Sequence, residues 1–148
     1  MERYIEFTSK YPDDAELTPE GDIGQPGGSN ILAAYRRWLR DKGFSSNPID
    51  QHSHYGMCID VTIDDGTVWE MIQFPDPWLM ILKPNSLAIP LFTASKVAAR
   101  LERATALFIE FLEHDSKLGY GGCFTRKEYD SQAIKGANKM SHSTADSA

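Results

Sequence analysis

The chain has 148 residues, a formal net charge of −6, 41% hydrophobic and 24% charged residues, and two cysteines. A chain of that length fits one domain that buries about 68–70% of its unfolded surface, so it needs neither a disulfide framework nor a structural metal. No apolar run approaches the roughly 20 residues of a membrane helix. The opening MERYIEFTSKYPDD lacks the basic, apolar and small-residue succession of a signal peptide. An acidic chain without a basic stripe is poorly suited to nucleic acid, where phosphate neutralisation supplies most of the affinity. The expectation is a reduced, cytoplasmic protein with no nucleic-acid or membrane partner, although a single Cys58–Cys123 bridge is compatible with the composition.

Charge is unevenly spread. Residues 1–28 carry seven acids against Arg3 and Lys10, and residues 45–92 carry six acids against Lys83 alone. Residues 29–44 reverse the sign, with Arg36, Arg37, Arg40 and Lys42 against Asp41. An acidic surface of this kind attracts a basic protein partner or keeps the chain soluble.

Along the chain, Tyr4–Phe7 fits a short strand or a helical turn. Residues 8–28 are rich in proline, glycine and acids and read as an irregular acidic loop. A helix is expected over 30–42. Ser29 or Asn30 would cap it, and Ile31, Leu32, Tyr35, Trp38 and Leu39 form its apolar stripe. The arginines lie mostly elsewhere, toward the end where the helix dipole favours cations. Gly43 in the left-handed conformation and Phe44 folded back would end it.

A three-stranded antiparallel meander follows. Tyr55, Met57, Ile59, Val61 and Ile63 alternate with Gly56, Cys58, Asp60 and Thr62. A three-residue turn with Gly66 left-handed would pair Val61 with Trp69 and Ile59 with Met71, placing large apolar groups on one packed face. The row Val68, Glu70, Ile72 and Phe74 would then lie on the other face and need a separate cover. Pro75-Asp76-Pro77 turns the chain into Trp78–Leu82, which is apolar on both faces.

After the proline-containing LAIPLF, a long helix is expected over 93–118, with Val97, Leu101, Ala104, Leu107, Phe108, Phe111 and Leu112 lying across the sheet. GYGGCF reads as its stop and a flexible turn. A short helical turn fits 126–134, and residues 136–148 read as a disordered tail after a single domain over 1–135. The expected fold class is α+β, a three- to four-stranded antiparallel meander packed by two main helices.

Catalytic signals are sparse. His52 and His54 lack a third ligand at a recognised metal spacing. Cys58 sits mid-strand, where a small buried residue packs well. Asp64-Asp65 is explained by its turn. GQPGGSN lacks the Lys-Ser/Thr of a nucleotide loop and an evident preceding strand. The aromatics fit a core better than a pocket. No catalytic, metal-binding or cofactor set is therefore assigned.

The capped helix ending in Gly43-Phe44, the strand opening at Tyr55-Gly56, the Asp65-Gly66 hairpin and the Pro77-Trp78 strand start together resemble the compact acidic α+β immunity proteins of bacteria. These punctuation residues cover about a third of the chain and carry no catalytic motif across. The resemblance implies a cognate toxin, often delivered by a contact-dependent or type VI secretion system, with acidic loops occluding its basic active site. The expectation is a non-enzymatic, antitoxin-like inhibitor whose partner surface combines Asp13, Asp14, Glu16, Glu20 and Asp22 with Asp64 and Asp65 at the hairpin tip. A small-molecule-binding domain or cryptic enzyme with a pocket on the sheet face is the competing class, and a homodimer is compatible with either.

Overall fold

The computed structural model describes residues 1–73, 78–85 and 94–132. The Pro75-Asp76-Pro77 turn, the LAIPLF stretch with Phe92, Phe74 and the expected tail from 136 lie outside those residues. The fold is a single-domain α+β arrangement of a mostly antiparallel sheet and helices.

The strands are β1 (Arg3–Ser9), β2 (Glu16–Leu17), β3 (Ile23–Gln25), β4 (Ser45–Ser46), β5 (Asp50–His52), β6 (Gly56–Ile63), β7 (Gly66–Gln73), β8 (Trp78–Pro84) and β9 (Leu118–Phe124). The two long helices are α1 (Ser29–Asp41) and α2 (Ala94–His114). A third helical segment, α3, is described over 126–132. Thr125 and Glu128 open it with a reciprocal box: Thr125 N donates to Glu128 Oε1 at 2.9 Å, and Glu128 N donates to Thr125 Oγ1 at 3.2 Å.

The main sheet has seven strands in the order β4-β6-β7-β8-β1-β9, with β5 also pairing β6, so it is wider than three or four. The extra width comes from two segments without strong alternation of their own. β1 lies between β8 and β9, and GYGGCF is the edge strand β9 rather than a flexible turn. β1 already offers an unpaired backbone edge, and glycines let β9 approach it closely: a Cβ on Gly121 would press on the Glu6 carbonyl. α2 accordingly ends at His114, before the expected Leu118.

The β6–β7 register also departs from expectation. The turn is the two-residue Asp64-Asp65, with Asp64 at φ 57 and Ile63 paired with Gly66. An aspartate tolerates that left-handed geometry, so Gly66 is not needed for it. Val61 pairs with Val68, Ile59 with Glu70, Cys58 with Met71 and Asp60 with Trp69. Trp69 and Met71 therefore occupy the face opposite Ile59 and Val61, because a one-residue shift of register inverts every side chain.

The core lies between one sheet face and the two long helices. Ile5, Phe7, Met57, Ile59, Val61, Ile63, Val68, Ile72, Met80 and Leu82 meet Ile31, Leu32, Tyr35, Leu39, Leu101, Ala104, Phe108 and Phe111 there. Its centre is aromatic, with Tyr35 5.1 Å from Phe108 and 5.0 Å from Phe111, and Phe7 edge-on to Phe108 at 5.5 Å. The row Val68, Glu70 and Ile72 is thus covered by the helices. On the opposite face, Tyr129 of α3 stacks on Tyr4 at 4.9 Å.

α1 ends as its sequence implies, with Gly43 at φ 90 and Phe44 N donating to Leu39 O at 2.9 Å. Its start differs. Gly28, at φ 110, is the capping position and offers no side chain. Asp14 caps from a distance: Gly28 N donates to its Oδ1 at 2.8 Å and Asn30 N to its Oδ2 at 3.0 Å. Asn30 contributes locally by accepting from Ile31 N at 2.8 Å.

Candidate functional site

The acidic loop is more ordered than its composition implies. Asp13 Oδ1 accepts from Ala15 N at 3.0 Å, and the bonds to Asp14 fix this segment against α1. β2 and β3 then form a small hairpin in which Leu17 faces Ile23 across the ladder. Its turn is held by Thr18 N donating to Asp22 O at 2.7 Å and Gly21 N donating to Thr18 O at 2.9 Å. The hairpin is also tied to the β5–β6 corner. Gln51 Nε2 donates to Gly24 O at 3.1 Å, and His54 Nδ1 lies 3.2 Å from Ile23 O.

That junction exposes apolar surface. Leu17 is 66% exposed, Ile23 48% and Tyr55 68%, three of the five large hydrophobic side chains exposed among the described residues. Glu16, Glu20 and Asp22 surround the hairpin, exposed and with no ion pair among the described residues. Beside it, His52 sits edge-on to Trp69 at 5.3 Å. The two histidines thus have different neighbours, and no group of three or more His, Cys, Asp and Glu converges to hold a metal ion among the described residues.

The seven acids expected to form one surface are divided by the fold. Asp13, Asp14, Glu16, Glu20 and Asp22 lie near the start of β6, whereas Asp64 and Asp65 lie at its far end, about 25 Å away along the strand. The tip acids are already partnered by α2. Arg103 reaches Asp64 at 3.2 Å and Arg100 reaches Asp65 at 2.6 Å, holding the Asp65 carboxyl below the usual carboxylate range. Arg100 Nε also donates to Ile63 O at 3.1 Å. Asp14 is committed to the helix cap and Asp13 Oδ1 to Ala15 N, which leaves Glu16, Glu20 and Asp22 as the acids of the set whose carboxylates have neither a hydrogen bond nor an ion pair among the described residues.

Both cysteines are free. β6 and β9 are four strands apart, about 19 Å, too far for a Cys58–Cys123 bridge. Burial pushes the Cys58 thiol above its ordinary pKa, with the Trp69 indole acting the other way. That environment disfavours the thiolate a nucleophile needs.

The most unusual titratable group is Glu70, fully buried in the helix-facing row. Tyr35 Oη donates to its Oε1 at 3.2 Å, while Oε2 has no hydrogen-bond partner. Burial raises its pKa from 4.5 to about 8, outweighing the lowering effect of the Tyr35 bond. The sequence places Glu70 in an alternating apolar row, and its burial could have been read from that row once the register was known.

No protein-family model matches the chain, and no curated protein or solved structure matches it. Among the described residues no helix is long and apolar enough to cross a membrane.

Proposed function

We infer that the chain is a non-enzymatic protein-binding inhibitor of the immunity-protein kind, acting in the cytoplasm on a cognate toxin with a basic surface. The observation that carries this reading is the tethered β2–β3 hairpin. It presents Leu17 and Ile23, near Tyr55, within a rim of uncompensated acids at Glu16, Glu20 and Asp22. An apolar centre with a charged rim is the usual anatomy of a protein interface, and the rim's sign selects a cationic partner. Aromatic and large aliphatic anchors at the centre carry most of the binding energy in such contacts. Relative to the surface expected from sequence, the docking region contracts to one end of the sheet. Asp64 and Asp65 drop out because Arg103 and Arg100 already neutralise them.

The test is a pull-down from the native host to identify the bound toxin, followed by its co-expression with the chain and affinity measurement on the purified pair. Wild-type chain should protect the host and bind. Leu17→Ser with Ile23→Ser, and separately Glu16→Lys with Glu20→Lys and Asp22→Lys, should weaken binding at least about tenfold while the melting temperature holds. Full protection and unchanged affinity with both variants would refute the assignment.

A further inference from the structure

The +3 segment at 29–44 acquires a definite shape in the fold. Ala33, Arg36, Arg37 and Arg40 follow one another at helical spacing on α1 and face the edge strand β4 across a cleft of about 330 Å³. Phe44, Ser45 and Ser46 complete its lining. Three guanidinium groups therefore share one concavity on a molecule whose overall charge is −6. None of the three has an ion-pair partner among the described residues. The neighbouring Lys42 is drawn away, pairing with Glu110 at 2.7 Å and lying over the Trp38 ring.

The cleft is also partly organised. Arg36 Nε donates to Ser46 Oγ at 3.1 Å and its terminal nitrogen to Ser46 O at 3.5 Å, which fixes the side chain and leaves other N–H groups free. The last α1 carbonyls do not compete for the arginines, because Trp38 O, Leu39 O and Arg40 O accept from the backbone of Lys42, Phe44 and Gly43.

We propose that the α1–β4 cleft binds a compact phosphate-bearing ligand. Guanidinium forks match phosphate oxygens in pairs, and three positive charges, one of them anchored through Arg36, complement a multiply charged anion better than a single carboxylate. The volume lies at the lower end of small-molecule sites and suits a pyrophosphate or a phosphorylated metabolite. The half-buried Phe44 offers an apolar wall for an organic carrier of the phosphate. This site is separate from the proposed docking hairpin, since neither lining includes a residue of the other.

Calorimetric titration of the full chain at physiological salt tests the site with pyrophosphate, inorganic phosphate, adenosine monophosphate and sulfate. Pyrophosphate should bind, and Arg36→Gln with Arg40→Gln should weaken it at least about tenfold. Arg40→Gln alone, at an exposed helix position, should weaken it without moving the unfolding midpoint. Adenosine monophosphate binding more tightly than inorganic phosphate supports an organic phosphate as the occupant, and pyrophosphate binding alone supports the free anion. No binding of pyrophosphate, equal binding of sulfate, or affinity unchanged in both variants would overturn the proposal.

Discussion

Replacing Glu70 with glutamine should change how stability depends on pH. In the folded chain the Glu70 carboxyl is fully buried and its pKa stands at about 8 against an ordinary 4.5. With one pKa unit worth about 1.4 kcal/mol, that rise amounts to on the order of 5 kcal/mol. Below the unfolded value both states are protonated and the group is neutral in each. As pH rises from 4.5 toward 8, the unfolded chain releases a proton that the folded chain keeps, so stability falls by about 1.4 kcal/mol per pH unit. Above the folded pKa the full loss is reached, a sizeable part of the roughly 5–15 kcal/mol that holds a typical domain together. Glu70→Gln retains an acceptor for Tyr35 but has nothing to titrate. Its own packing cost is independent of pH, and the other carboxylates act alike in both proteins. Urea midpoints of the two at about pH 5 and about pH 8.5 should therefore diverge, the wild type losing stability relative to the variant as pH rises. A difference that stays constant across the range would refute the reasoning.

Other perturbations follow from the same packing. Asp14→Ala removes the acceptor for the Gly28 capping amide and the Asn30 amide of α1 and should cost about 1–2 kcal/mol in urea unfolding, although Asp14 lies far upstream of the helix. Gly56→Ala should destabilise more than Gly66→Ala. A Cβ at 56 would strike the Ile72 backbone oxygen, whereas one at 66 strikes the movable end of Arg100, and thermal melts of the pair would show the order. Phe108→Ala, at the centre of the aromatic core, should cost about 3–5 kcal/mol. Leu17→Ser should stay within about 0.5 kcal/mol of wild type because that side chain is already exposed.

Legibility along the chain followed the range of the forces involved. α1 could be read because its stripe, its Gly43 stop and its Phe44 return lie within a few residues of one another. α2 was legible from the spacing of Leu101, Ala104, Phe108 and Phe111. The hairpin's position was legible from Asp64-Asp65-Gly66, but its register was not, because the expectation maximised apolar pairing between two strands alone. In the fold the helices decide which row is covered, and they cover Val68, Glu70 and Ile72. Gly66 then serves as the place where Arg100 crosses the strand.

The candidate site divides in the same way. The acids and the irregular segment carrying them were evident from composition. Their grouping was not, because the cap made by Asp14, the arginine partners of Asp64 and Asp65, and the pairing of Leu17 with Ile23 all join residues distant in sequence or in separate elements. The arginine cleft likewise needed β4 set beside α1 before its charges faced a common space. By itself the sequence determined the α+β class, both long helices and the place of the hairpin, through local periodicity and capping. Only the tertiary structure decided β1, β9, the faces of β7 and the burial of Glu70. A strand's partners and its covered face depend on backbone edges and apolar surfaces supplied by other parts of the chain.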